Sequence, residues 1–253
     1  MSTSTIEKND FISYLTAALE QNGMSDFARD EHLKQQLYAL TVRMLEVNEH
    51  MNLTAIKDPH DIIMRHYVDS LSVAAHIPEQ ATVLDIGCGA GFPCLPLALA
   101  RPDLHITAID STEKKIRYVA ETAALLNIPT DCLTARAMRA EEGGSVGGEL
   151  REKFNIVVSR AVARLSVLGE LALPCLCVGG QLLALKGEKA EEEVTEADGL
   201  RVLGAGKAII IPTPLTPPDG RESDRHALVV IKKTEKTPKT YPRKYAQILK
   251  KPL

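Results

Sequence analysis

Val83-Leu84-Asp85-Ile86-Gly87-Cys88-Gly89-Ala90-Gly91-Phe92-Pro93 is the stretch whose reading decides the fold. Thr82 to Ile86 are β-branched or apolar apart from Asp85, which predicts a buried strand. Three glycines follow at alternate positions. They let the backbone turn sharply and lie close to a ligand. A helix starting just after such a turn presents unpaired N–H groups to it.

The spacing separates two readings. A dinucleotide fingerprint is G-x-G-x-x-G. Here the third glycine comes one residue early, and Phe92 stands where that fingerprint has Gly. This disfavours a nicotinamide dehydrogenase. Asp85 also precedes the first glycine by two residues, and D-x-G-x-G-x-G resembles motif I of the S-adenosylmethionine (SAM) dependent methyltransferases. A second expected strand, 104–109, leads to Asp110, 25 residues after Asp85. An acid at that tip faces a nucleoside bound over the glycine turn and accepts hydrogen bonds from both ribose hydroxyls. An Asp ending a strand is also a common helix N-cap, but the spacing from the turn favours the ribose role.

Outward from this unit the rhythm is strand–helix alternation. Strands are expected near 81–86, 104–109, 131–135, 154–159, 180–185, 207–211 and 226–232, and helices near 91–100, 112–126, 162–177 and 187–199. The alternation implies a seven-stranded, mostly parallel sheet covered on both faces. Five residues, Pro212, Pro214, Pro217, Pro218 and Gly220, separate the last two strands, which suits an antiparallel pair joined by a long loop. The run 143–148, G-G-S-V-G-G, reads as a flexible loop. Upstream, 5–22 and 30–49 carry apolar residues at helical spacing, and Asp58-Pro59 opens another helix that ends before Ile77-Pro78. The division is an α-helical extension over 1–78 and a Rossmann-like domain over 79–253.

Composition bounds the function. The chain has 253 residues, of which 45% are hydrophobic and 25% charged, as in a globular protein with a sizeable core. No run approaches the ~18 apolar residues of a membrane span, and the first 22 residues do not read as a signal peptide. The five cysteines lie at 88, 94, 132, 175 and 177 without CxxC or a neighbouring His. Reduced thiols in a cytoplasmic protein are the natural reading, with no zinc site. The net charge of −3 hides an asymmetry: residues 221–253 carry ten Lys/Arg against three acids, a net +7, on a body of −10. Such a tail either meets a polyanion or only aids solubility.

Several separated motifs then carry a resemblance to the bacterial small-subunit rRNA methyltransferases of the RsmG (GidB) family, over about residues 46–253. They are Asn52-Leu53-Thr54, His66-x-x-Asp69-Ser70-Leu71, the stretch Asp85 to Pro96, Ser159-Arg160-Ala161, Leu185-Lys186-Gly187, and the tail Tyr241-Pro242-Arg243-Lys244 with Lys250-Lys251-Pro252-Leu253. The resemblance implies methyl transfer from SAM to N7 of a guanine in 16S rRNA, with the small ribosomal subunit as partner. It also implies that Gly87, Phe92, Asp110 and Arg160 line the cofactor site, to which Gly89, Gly91 and Asp85 belong through the turn. Asp85 reads as an anchor of that turn. The family's R-A-E segment has two candidates: Arg136-Ala137-Met138 keeps the register from Asp110, and Arg139-Ala140-Glu141 keeps the composition. Ala140 and Glu141 are favoured, because loop insertions cost little. Cys88 replaces Ser or Thr of the family pattern, and Cys94 replaces Gly.

Guanine N7 has an in-plane lone pair and no proton, so the implied reaction requires no general base and no metal. No catalytic residue is expected beyond positioning by Arg160. Lys186, Arg243, Lys244, Lys250 and Lys251 are candidate RNA phosphate contacts. His66 and Asp69 are helix neighbours for which a structural hydrogen bond and a substrate role stand equally. Tyr241 and Tyr245 suit either base stacking or packing. Pro174-Cys175 sits in an apolar stretch and reads as core. The expected protein is a cytoplasmic monomer. Two alternatives remain: a methyltransferase of a small molecule or protein, and a non-catalytic RNA-binding factor.

Overall fold

The structure is a computed structural model that describes residues 7–253. The first two positions of the helix expected over 5–22 therefore lie outside the described residues. That helix is α1 (Lys8–Gln21), followed by α2 (Ser25–Arg29) and α3 (Glu31–Met51). Asp30 caps α3 by accepting from the Leu33 N–H at 2.9 Å, and Asn52 ends it with a left-handed φ of 52°. Asp58 caps α4 (Pro59–Ile62), with Pro59 in the first turn where a missing N–H costs nothing. The rod continues through a π-helical turn, Ile63–Val68, into α5 (Asp69–Leu71). Apolar spacing gave no sign of the π-turn.

The sheet strands are β1 (Thr82–Ile86), β2 (His105–Asp110), β3 (Leu133–Ala137), β4 (Phe154–Arg160), β5 (Leu176–Lys186), β6 (Ala205–Pro212) and β7 (Ala227–Lys233). Their order is β3-β2-β1-β4-β5-β7-β6. Strands β1 to β5 pair in parallel, and β7 runs antiparallel between β5 and β6. The order reverses between β1 and β4, so the carboxyl ends of these strands open a crevice for a ligand.

Helices α6 (Cys94–Ala100), α7 (Glu113–Leu125), α8 (Ala140–Gly143), α9 (Leu165–Ala172), α10 (Ala190–Glu196) and α11 (Tyr245–Lys250) complete the fold. Side chains alternate across β1: Val83 joins one core, and Leu84 and Ile86 join the other. The first core also holds Leu15, Leu37 and Tyr67, all fully buried. The N-terminal helices thus share one core with a face of the sheet, and this holds the π-turn over the sheet's carboxyl edge.

Some bounds differ from expectation for local reasons. The helix expected over 162–177 ends at Ala172, and Pro174 sits in a short 3-10 turn. Strand β5 then starts at Leu176, earlier than expected, with Gly179 at φ 93° allowing a bend. The run 143–148 is a packed turn: Arg151 donates to the Gly144 carbonyl at 2.8 Å, and a Cβ on Gly148 would meet the Gly143 carbonyl at 2.3 Å.

Candidate functional site

The glycine turn is fastened to β2 by its own backbone. The Gly87 and Cys88 N–H groups both donate to the Ile109 carbonyl, at 2.8 and 3.0 Å. Gly87 has φ 71°, and a Cβ there would lie 2.5 Å from Val162 Cγ2. Gly91, at φ 88°, would meet Leu95 at 2.3 Å. Both positions exclude a side chain on two counts, conformation and space. Gly89 faces open space instead, where nothing but a backbone oxygen at 3.8 Å approaches.

Asp110 ends β2 beside this space. Its Oδ2 accepts from the Gly89 N–H at 3.2 Å and its Oδ1 from the Thr112 N–H at 2.8 Å. A carboxylate has about four lone-pair sites, so acceptor capacity remains for a diol. Asp85 lies below the turn, fully buried. Its Oδ2 accepts from the Cys94 N–H at 3.1 Å, whereas Oδ1 has no partner. Burial pushes its carboxyl up to about 7, against the pull of the Cys94 hydrogen bonds and Arg160.

A pocket of ≈ 370 Å³ opens over this corner, lined among others by Gly87, Asp110, Met138, Ala140, Glu141 and Tyr245. Both candidates for the R-A-E segment reach it, one through Met138 and the other through Ala140 and Glu141. Ala137 ends β3 as an exposed residue outside the lining. Tyr245 comes from α11, with the Arg139 guanidinium 5.6 Å from its ring centre. The volume, the free acceptors of Asp110 and the backbone of Gly87 in the lining fit a nucleoside, whereas Gly89 and Gly91 are not among the lining residues.

Beside it lies a cleft of ≈ 720 Å³, and the two share Ala161 and Val162 as a common wall. The cleft is built from side chains of distant segments. Asn48 pins the N-L-T loop by bonding both the N–H and the carbonyl of Thr54, each at 2.9 Å. Thr54 Oγ1 lies 3.0 Å from His66 Nε2, and Arg160 Nη2 donates to His66 Nδ1 at 3.1 Å. Arg160 also donates to the Arg65 carbonyl and lies 3.4 Å from Asp69 Oδ2. Asp69 Oδ1 in turn accepts from His226 Nδ1 at 3.1 Å. Burial, reinforced by Arg160, lowers the His66 pKa to about 3, so this imidazole is neutral.

This geometry redistributes the expected residues. Of the residues expected in the cofactor site, Arg160 lines the cleft and not the smaller pocket, and Phe92 lines neither, being buried behind His66. The Phe92 ring stacks on His66 with centroids 4.4 Å apart and 13° between planes, and the Arg160 guanidinium lies 5.1 Å from its centre. Lys186, expected at RNA phosphate, turns inward: Nζ donates to the Ala163 carbonyl at 2.7 Å and pairs with Glu193 at 2.7 Å. Arg243 is also committed, gripping the fully buried Glu170 through Nε at 2.9 and 3.1 Å and through Nη2. Lys244, Lys250 and Lys251 are exposed. His226 escaped the sequence reading, because a lone His before an apolar strand carries no local signal.

All five cysteines are free thiols. Among the described residues, no group of three or more His, Cys, Asp or Glu is placed to hold a metal ion, and no helix is long and apolar enough to cross a membrane.

Residues 33–213 match the family model described as GidB, rRNA small subunit methyltransferase G. The chain is 38% identical to the ribosomal RNA small subunit methyltransferase G of Staphylococcus carnosus over 245 residues, covering 96% of this chain and 98% of that protein. The protein of the same name from Deinococcus radiodurans is 42% identical over 230 residues, covering 89% and 88%. Among solved structures, a SAM dependent methyltransferase from Aquifex aeolicus aligns with a TM-score of 0.50 at 16% identity, over 76% of this chain and 97% of that one. A SAM-dependent O-methyltransferase from Thermotoga maritima also aligns at 0.50, with 14% identity over 77% and 73%. At such identities the likeness speaks for the fold alone.

Proposed function

The chain belongs to the rRNA small subunit methyltransferase G family, and on that premise we propose that it transfers the methyl group of SAM to N7 of a guanine in 16S rRNA of the small ribosomal subunit. One observation carries the reading: a nucleoside-sized pocket and a larger open cleft meet at a wall of two small residues, Ala161 and Val162. A donor in one cavity and an acceptor base in the other then meet beside that wall, with methyl and N7 in direct approach.

Gly87, Gly89 and Gly91 hold the donor by backbone approach, over Asp85 as the anchor of their turn. Asp110 takes the ribose hydroxyls, and Ala140 and Glu141 close the adenine end. When bound, SAM supplies a sulfonium methyl that is already electrophilic. Guanine N7 offers a lone pair and carries no proton, so the chain need only place the base in line and exclude water. Arg160 does the placing, held by Asp69, His66 and the Arg65 carbonyl. Phe92, packed on His66, keeps the rear of that guanidinium dry.

Exposed Lys244, Lys250 and Lys251 serve the RNA backbone without reading sequence. Lys186 and Arg243 act by fixing the 161–164 segment and the tail. A single chain holds both ligands, so a cytoplasmic monomer suffices.

The test is incubation of undermethylated small subunits with labelled SAM, followed by chemical cleavage at 7-methylguanosine. Label at one guanine of 16S rRNA is the expected result. Label only on protein or small molecules overturns the reading.

A further inference from the structure

We propose that His226 reads the Watson–Crick edge of the acceptor base and so selects guanine. This rests on the guanine reading above and names a residue that chooses the base. His226 precedes β7 and lines the cleft but not the smaller pocket. Its Nδ1 meets Asp69 Oδ1 at 3.1 Å. Asp69 is buried, and its other oxygen faces Arg160. A carboxylate only accepts, so with a single proton on the ring that proton resides on Nδ1, and Nε2 is a bare acceptor. The His226 side chain is 25% exposed and lines the cleft.

The donor edge of guanine carries N1–H and the 2-amino group, and it lies across the base from N7. The sheet register gives this edge a place. Arg160 pairs with Leu185, and Leu185 pairs with Leu228. The strand that His226 leads into therefore stands two strands from Arg160, about 10 Å along the carboxyl edge at the usual strand spacing, and the two side chains reach toward each other to share the Asp69 carboxylate. A purine laid along that edge with N7 at the Ala161–Val162 wall turns its donors toward His226. Adenine presents a bare N1 there, and two acceptors would oppose each other.

Three of the four carboxylates lining the cleft are engaged within the protein, and the fourth, Glu188, is exposed. Asp69 holds Arg160 and His226, Glu193 holds Lys186 and the Leu165 N–H, and Asp224 pairs with Arg65 at 3.1 Å. Arg65, Arg160, Lys186 and Arg225 are donors only.

The experiment uses full-length chain, wild type, His226→Ala and His226→Asn, with small subunits whose rRNA is ligated to carry guanine, inosine or 2-aminopurine at the methylated position. Failure of the wild type on guanine would count against the function proposed above, separately from this inference. On guanine, His226→Ala is expected to lose about 10-fold in kcat/KM, with SAM affinity by calorimetry unchanged. His226→Asn, which keeps an acceptor, recovers part of the loss. Inosine lacks the 2-amino group and 2-aminopurine lacks N1–H. One of these replacements should slow the wild type about 10-fold yet slow His226→Ala less than 2-fold, because the contact is already gone. A role that is merely structural predicts equal factors in both enzymes. The same slowing factor in wild type and His226→Ala with each replacement, or a His226→Ala enzyme as fast as wild type on guanine, overturns the proposal.

Discussion

The glycine-turn pocket and the cleft beside it are built from different materials. The glycine-turn corner of the pocket is backbone and short-range: Gly87, Gly89 and Asp110 are fixed by a strand–turn–helix unit and its neighbouring strand. The cleft is side chain and long-range: Thr54, His66, Asp69, Arg160 and His226 come from four stretches of chain joined by one hydrogen-bonded run. A site of the first kind tolerates change where no side chain participates. A site of the second kind depends on every link of the run.

The sharpest way to break this contrast is Arg160→Ala. It removes the centre of the run and is expected to lower kcat by about 10²–10³-fold, while calorimetry finds SAM affinity within about 3-fold of wild type. A collapse of SAM affinity would instead return Arg160 to the pocket. Gly87→Ala is the converse. The new Cβ meets Val162 at 2.5 Å in a left-handed backbone, so SAM binding should weaken about 10-fold, with unfolding midpoints recorded alongside.

Asp85→Asn tests the buried floor of the pocket. With a folded pKa of about 7 against an ordinary 3.8, the folded wild type keeps a proton that the unfolded chain gives up. Its contribution is complete below 3.8 and is lost as pH rises through 7. Wild type should therefore lose stability relative to Asp85→Asn between pH 5 and 8, by up to about 1.4 kcal/mol per pH unit. His66, depressed to about 3, acts in the opposite sense, costing stability as pH falls below 6.5, and it cancels in the difference. Urea denaturation at both pH values decides; parallel curves would show that Asp85 titrates normally. The smallest effect belongs to Lys250→Ala with Lys251→Ala: a rise of about 3-fold in KM for the RNA and a shallower salt dependence.

The same contrast explains what the sequence disclosed. The turn and Asp110 were legible because their residue types and spacing are set by local backbone geometry. The seven strands were legible from alternation, and the antiparallel β6–β7 pair from the prolines between them. The π-turn at 63–68 was not, since apolar periodicity does not distinguish one extra residue per turn. Lys186 and Arg243 were read as free cations because a charge count does not see Glu193 folding back, or Glu170 buried 73 residues upstream. His226 lies 157 residues from Asp69, and no pattern in one chain announces a partner at that distance. The favoured Ala140 and Glu141 do reach the pocket, yet so does Met138 of the rival segment. Sequence posed these as exclusive, whereas the loop after β3 brings both to one rim.

Ala161 holds a left-handed φ of 54°, and with Val162 it is the one wall common to both cavities. For ligand design this makes the wall a bridge. A molecule that tethers a nucleoside to a purine needs only to cross two small side chains. Its second half then binds at the effective concentration set by a short linker. Bulk introduced at position 161 would deny such a molecule its crossing while leaving each separate half its own berth.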